Sequence, residues 1–238
     1  MHDVAAVARN ALLEHLDEPT LARWLPHLHE VPLELGDVLH EAGQAVGEVY
    51  FLLAGMVSLV VDLDGGQSVE VVTIGREGMV GIPVLLHAER ACERAVVQVK
   101  GAALRMGAED FQHQLGTADA GVHAAFSRYT HAVFSHLARN SACNRVHSIP
   151  QRAARWLLLI ADRVDGPTFE LTQDYLATML AVRRASISHV ARSLAEQGCI
   201  TYVRGRITIT DREKLRSNAC GCYDVNRDSV LSALQLQA

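Results

Sequence analysis

Residues 171–210, LTQDYLATMLAVRRASISHVARSLAEQGCITYVRGRITIT, hold two runs of helical periodicity around a short interruption and then change period. Thr172 is the residue type that caps a helix N-terminus, and Leu176, Met179 and Leu180 fall on one face before Ala181-Val182 turns the chain. From Arg183 onward Ile187, Val190, Ala191 and Leu194 recur at i, i+3, i+4 and i+7. That face is buried. Gly198 stands where a left-handed residue ends a helix, and Ile200–Tyr202 and Arg206–Thr210 read as strands joined through Arg204-Gly205. Helix, tight turn, helix and hairpin in this order predict a winged helix-turn-helix.

The face opposite the buried set is small, polar and basic, which suits the DNA major groove, where arginine can donate two hydrogen bonds to guanine. The candidate contacts to double-stranded DNA are Thr172, Arg183, Arg184, Ala185, Ser186, Ser188, His189 and Arg192, with Arg204 and Arg206 on the wing. An ordinary helical hairpin with a solvated basic face is the alternative, and the basic-tipped strand pair after the second helix weighs against it. Charge is distributed accordingly. Between Pro150 and Ser217 eleven Lys/Arg face seven Asp/Glu, a local +4 within a chain of net charge −5, so the remainder carries −9. Phosphate contact needs local positive charge, so a whole-chain pI of 6.2 does not oppose DNA binding.

With 238 residues, 49% of them hydrophobic, the chain can form two domains with cores of their own. Apolar runs such as Trp156–Ala161 are too short to cross a bilayer, and the N-terminal segment lacks a charged start followed by an apolar stretch. A cytoplasmic protein with no membrane partner is expected. Five cysteines in no regular framework fit a reducing compartment. Residues Leu53–Asp64 alternate, with Val57, Leu59, Val61 and Leu63 against Ser58, Val60, Asp62 and Asp64. Asp64-Gly65-Gly66-Gln67 is a hairpin signal, Val69, Val71 and Thr73 resume the alternation, and Ala95–Val99 adds a strand. This is a turn-rich antiparallel β structure. A helical pattern covers Val4–Leu16 and a longer one Asp119–Val146, about 40 Å at ~1.5 Å per residue. Its stripe Val122, Phe126, Tyr129, Val133 and Leu137 predicts a seam with a second copy, carried by Phe126, Tyr129, Val133 and Leu137, as well as packing on the β domain, the alternative being packing within its own chain alone, and Pro150 should close or kink the helix.

The expected class is therefore α+β: an N-terminal antiparallel β-roll over 1–117, a long dimerisation helix over 118–149, a winged helix-turn-helix over 150–222 and a C-terminal tail over 223–238. With this order, the segments VYFLLAGMVSLV, IGREGMVGIPVLL and LATMLAVRRASISHVARSLAEQGCI resemble the Crp/Fnr family of bacterial transcription regulators over nearly the whole chain. The resemblance implies a homodimer whose cyclic-nucleotide-binding-like β-rolls sense an effector or redox signal. It implies an inverted-repeat operator, with RNA polymerase as a further partner. A ligand-binding module without DNA function is the alternative. Of the family's base-reading Arg, Glu and later Arg, only the first is kept, the matching positions being Arg184, Ala185 and His189, so the usual operator is not implied.

The family's effector pocket maps to Gly81, Ile82, Pro83, Val84, Arg94 and Ala95. Ile82 stands where cyclic-AMP-binding members have a ribose-binding Glu, and Glu93 sits beside Arg94, the candidate for the phosphate arginine. Cyclic AMP is therefore not the expected ligand. Nor is the family's N-terminal iron-sulfur cluster, since no cysteine precedes Cys92. Cys220-Gly221-Cys222 makes half of a tetrahedral metal site, for which His147, Cys143 or a partner chain would have to supply the rest. The plainer reading, two thiols in a packing segment, leaves no metal expected. No nucleophile elbow, phosphate-binding glycine loop or H-E-x-x-H occurs, so an enzyme is not expected either.

Overall fold

The computed structural model describes residues 7–64, 67–164 and 166–234. Gly65 and Gly66, and part of the helix expected from Val4, lie outside them. Within them Leu13–His15 is a single 3-10 turn, not the end of a continuous helix.

Strands β1 (His29–Leu33), β2 (Val38–His40), β3 (Glu48–Leu63), β4 (Gln67–Ile74), β5 (Met79–Val80) and β6 (Arg94–Gly107) make one antiparallel sheet ordered β1-β6-β3-β4, with β2 on β6 and β5 on β3. β3 and β6 pair through several register shifts near Ala54 and Met56, which bend the sheet into a roll. Glycine makes that crossing possible. A Cβ on Gly101 would lie 2.0 Å from the Ala54 carbonyl oxygen, and one on Gly55, at φ +85°, 2.5 Å from that of Val99. Inside the roll Trp24, at the end of α1 (Glu18–Trp24), packs with Phe51, Phe111 and Phe126, their ring centroids 5.7–6.4 Å apart. Helices α2 (Ile82–Leu85) and α3 (Ala108–Gly116) complete this half.

Asp119 caps α4 (Ala120–Val146), accepting from the Val122 amide. This is the long helix expected, but the seam assigned to it needs correction. Phe126, Tyr129 and Val133 are 1%, 3% and 9% exposed because they pack into the β-roll of their own chain, and the Tyr129 hydroxyl donates to the Met79 carbonyl at 2.8 Å. A stripe at helical spacing marks a buried face without naming what buries it. The free face is the next one round, where Phe134 is 68% and Leu137 37% exposed.

Pro150 opens a helix rather than kinking one. His147 is extended, Ser148 with Gln151 forms a capping box, and α5 (Ile149–Ala161) begins. Every residue of α5 from Arg152 to Ile160 is buried. On one side it holds β7 (Thr168–Glu170), α6 (Gln173–Met179), α7 (Arg184–Glu196), β8 (Ile200–Val203), β9 (Arg206–Ile209) and α8 (Arg212–Asn218) in a second core. On the other it docks on the roll, where Met56 and Val60 of β3 belong to that second core. The residues expected as a tail form α9 (Cys222–Ala233), which packs back along α4, with Leu234 in the β-roll core.

Several polar groups buried at this docking surface pair across it. Glu70 of β4 accepts from Ser58 and, at 2.8 Å, from the Trp156 indole of α5. Asn140 donates to the Val71 carbonyl at 3.1 Å and accepts from Arg155 at 2.7 Å. Arg163 donates to Glu77 at 2.5 Å. Burial pushes the Glu70 carboxyl up to about 7 against the opposing pull of Ser58, Trp156 and the arginines, and burial with the nearby arginines pushes His136 down to about 3.

Candidate nucleic-acid interface

The Thr172 hydroxyl caps α6 by accepting from the Tyr175 amide at 3.2 Å. Ala181, at φ +52°, turns the chain out of α6, and the Val182 amide closes the turn on the Ala177 carbonyl at 2.9 Å. Arg183 is then the extended N-cap of α7, whose buried residues are Ile187, Val190, Ala191 and Leu194, the set expected from periodicity. Two consecutive positive φ values, +50° at Arg204 and +78° at Gly205, give the hairpin a turn of the type that matches strand twist. The Gly205 carbonyl accepts from the Leu171 amide at 2.7 Å, tying the wing tip to the start of α6. Strand β7, pairing with β9, was too short for the sequence to disclose.

The candidate contact residues divide into two groups. Arg183, Arg184, Ala185, His189 and Arg192 are exposed along α7, and Arg204 and Arg206 are exposed on the wing. Arg184 pairs with Asp174 at 3.3 Å and Arg206 with Glu170 at 3.6 Å, each side chain more than three-fifths exposed. Such pairs contribute about 0–1 kcal/mol, so both guanidiniums can exchange a carboxylate for a phosphate or base at little cost. Ser186 is half-buried. Ser188 is also half-buried and donates to Gln173 across the two helices, so its hydroxyl braces the motif instead of facing a ligand. Reading the sequence missed Gln173, Asp174 and Glu170. Their only signal was polarity at the start of α6 and at the strand beside the wing.

The expected effector residues are not gathered into a free anion site. Gly81 at φ +108° starts α2, a single turn; Pro83 and Val84 are buried, and Ala95 lies fully buried on β6. Arg94 donates twice to Asp62 at 3.2 Å and lies 3.8 Å from Glu41. That guanidinium holds the Asp62 carboxyl below its ordinary range and is itself engaged. Glu93 lies 3.7 Å from His40 and accepts from the Cys92 thiol at 3.3 Å. A cleft of about 860 Å³ lies instead between roll and wing, lined in part by Gln98 and Tyr175, whose side-chain polar atoms are buried without a protein partner.

Among the described residues no helix is long and apolar enough to cross a membrane. Residues 30–117 match the family model of the cyclic nucleotide-binding domain, and residues 151–217 that of the Crp-like helix-turn-helix domain. No curated protein matches the sequence. Among solved structures, a putative Crp/Fnr-family transcriptional regulator from Eubacterium rectale is 16% identical with a TM-score of 0.67, over 88% of this chain and 98% of that one. FixK2 from Bradyrhizobium japonicum is 15% identical with a TM-score of 0.69, over 82% and 98%. The c-di-GMP-responsive regulator CLP from Xanthomonas campestris is 15% identical with a TM-score of 0.61, over 82% and 100%. The two matched models, in their order along the chain and with the long helix between them, span more than half of the sequence, and the chain belongs to the Crp/Fnr family of DNA-binding transcription regulators.

Proposed function

We propose that the protein acts as a homodimer on an inverted-repeat operator, with α7 of each copy in the major groove and each wing on the flanking phosphates. The observation that carries this reading is the outward face of α7, where Arg183, Arg184, His189 and Arg192 stand exposed around a fully packed inner face. A single recognition helix spans too few base pairs for useful specificity, so a second copy is needed. The unpartnered face of α4 supports that copy as its occupant. Ser127, His131, Phe134, Ala138, Ser141 and Arg145 are all exposed and alternate at four- and three-residue spacing, the pattern of a helix seam. The protein works by binding and not by catalysis, in the cytoplasm, and RNA polymerase is the expected further partner. Its effector is something other than cyclic AMP, since Arg94 is engaged by two carboxylates and Ile82 offers no acceptor.

The test is Phe134→Glu, examined by light scattering and by footprinting on an operator selected from random DNA. The expected outcome is a monomer with at least a tenfold loss of operator affinity, against a two-fold-symmetric wild-type footprint with half-sites about 34 Å apart. A monomer that still protects both half-sites, or an asymmetric wild-type footprint, would overturn the proposal.

A further inference from the structure

Four potential metal ligands scattered in sequence meet at the far end of α4. Cys143 lies on its last turn, His147 is its C-cap, and Cys220 and Cys222 flank the start of α9. Their ligand atoms all lie within 4.8 Å of one another. The Cys143 and Cys220 sulfurs are 3.6 Å apart, and the Cys222 sulfur is 3.7 Å from Nδ1 of His147. With metal–sulfur bonds of about 2.3 Å, the edge of a coordination tetrahedron is about 3.8 Å. The two close pairs therefore already sit at the separation that one tetrahedral ion imposes. An iron-sulfur cluster, which must fit several iron and sulfide atoms between its ligands, has no room here. Nor are the sulfurs bonded to each other.

A second observation is independent of the ligands. Arg155 and Arg152 are only 2% and 8% exposed, yet among the described residues neither has a carboxylate within ion-pair distance, Arg155 acting on buried Glu70 only from farther off. Arg155 donates to Asn140 and Arg152 to the Leu180 carbonyl, while their Nε groups have no partner. Buried guanidiniums require a counter-charge. Three thiolates and a neutral imidazole around a divalent ion carry a net charge of −1.

We infer that Cys143, His147, Cys220 and Cys222 form a structural zinc site, with Arg155 as its outer-shell counter-ion. Its position gives it a defined task. The chain enters the DNA-binding unit just after His147 and leaves it at Cys220, so the ion fastens the two ends of that unit to each other and to the end of α4. Closing a loop of about 70 residues at its neck limits how the unit can swing. The site accounts for two of the cysteines expected to be mere packing residues, and it depends on no assumption about the operator or effector.

The test is metal analysis of the full-length chain purified under reducing conditions, followed by replacement with Co(II). One zinc per chain is expected, and the cobalt form should show the intense visible bands and thiolate charge-transfer absorption of a tetrahedral thiolate centre. Cys222→Ser and Cys143→Ser should lose the ion, Arg155→Met should weaken zinc binding by roughly 10- to 100-fold, and Cys92→Ser, exposed and remote, should leave it unchanged. The wild-type cobalt spectrum decides the matter even if a variant fails to fold. A reduced wild-type chain that binds neither ion, a weak octahedral cobalt spectrum, or a full complement of Cys92→Ser-sensitive zinc would overturn the assignment.

Discussion

Arginines exposed on α7 and the wing and arginines at the docking surface between β-roll and α5 come from the same stretch of sequence, yet they work under opposite conditions. Arg184 and Arg206 reach exposed carboxylates through solvent and are held weakly. Arg163 is largely withdrawn from solvent against Glu77, and Arg155 is buried against Asn140. In water a charge is cheap to expose and worth little in a pair; in the interior it is costly to strand. Release is what a DNA-reading side chain requires, and permanence is what a docking surface requires. Basic composition alone does not separate the two roles.

The largest effect should come from stranding a buried charge. Arg163→Ala leaves Glu77 with the Gly75 amide but no counter-charge and should cost roughly 3–5 kcal/mol in chemical denaturation. Arg206→Ala, beside exposed Glu170, should cost under about 1 kcal/mol. Equal losses would erase the distinction drawn above.

Glu70 tests the interior side of the comparison through pH. Its carboxyl is raised from 4.5 to about 7 by burial, so between those values the folded chain holds a proton that the unfolded chain has released, and stability falls as pH rises through that window. The effect is on the order of 3 kcal/mol. His136, lowered from 6.5 to about 3, acts with the opposite sign, adding stability as pH rises between those values. The two slopes offset each other where the windows overlap. Glu70→Gln should therefore turn a nearly flat profile into one that rises toward pH 6.5 in denaturation midpoints, and a variant whose profile parallels wild type would refute the assignment.

On the exposed side, Arg184→Ala should weaken the selected operator by about 1–3 kcal/mol and random DNA hardly at all. Smallest should be Arg204→Ala, which weakens both DNAs alike and flattens the salt dependence by about one unit of slope. Equal loss on both DNAs for Arg184→Ala would remove it from base readout.

The motif that touches DNA was the most legible part of the chain because its information is local. The burial of Ile187, Val190, Ala191 and Leu194, the start of α7 near Arg183 and the turn at Arg204-Gly205 each depend on a few neighbouring residues. The length of α4 was legible for the same reason. What was not legible depends on distant partners. The Phe126 stripe was shared between a second copy and the β domain because the aromatic cluster that claims it draws on residues as far away as Trp24. Glu70 and Trp156 are separated by 86 positions. Spacing along a strand or helix carries no trace of such meetings. Ser188 shows the limit within the motif itself, since a hydroxyl on the outer face reads as a ligand contact until Gln173 is placed beside it.

The length of α4 also has a mechanical consequence. A helix of 27 residues is a rod of about 40 Å. Swung about its β-roll end by about 5°, its far tip moves about 3.5 Å, close to the ~3.4 Å rise of one base pair along a DNA strand. A pair of such rods joined along one face is a caliper, and its stiffness rather than its chemistry sets how exactly it gauges the gap between half-sites. Operators lengthened or shortened by a single base pair would be rejected by a rigid caliper and tolerated by a loose one.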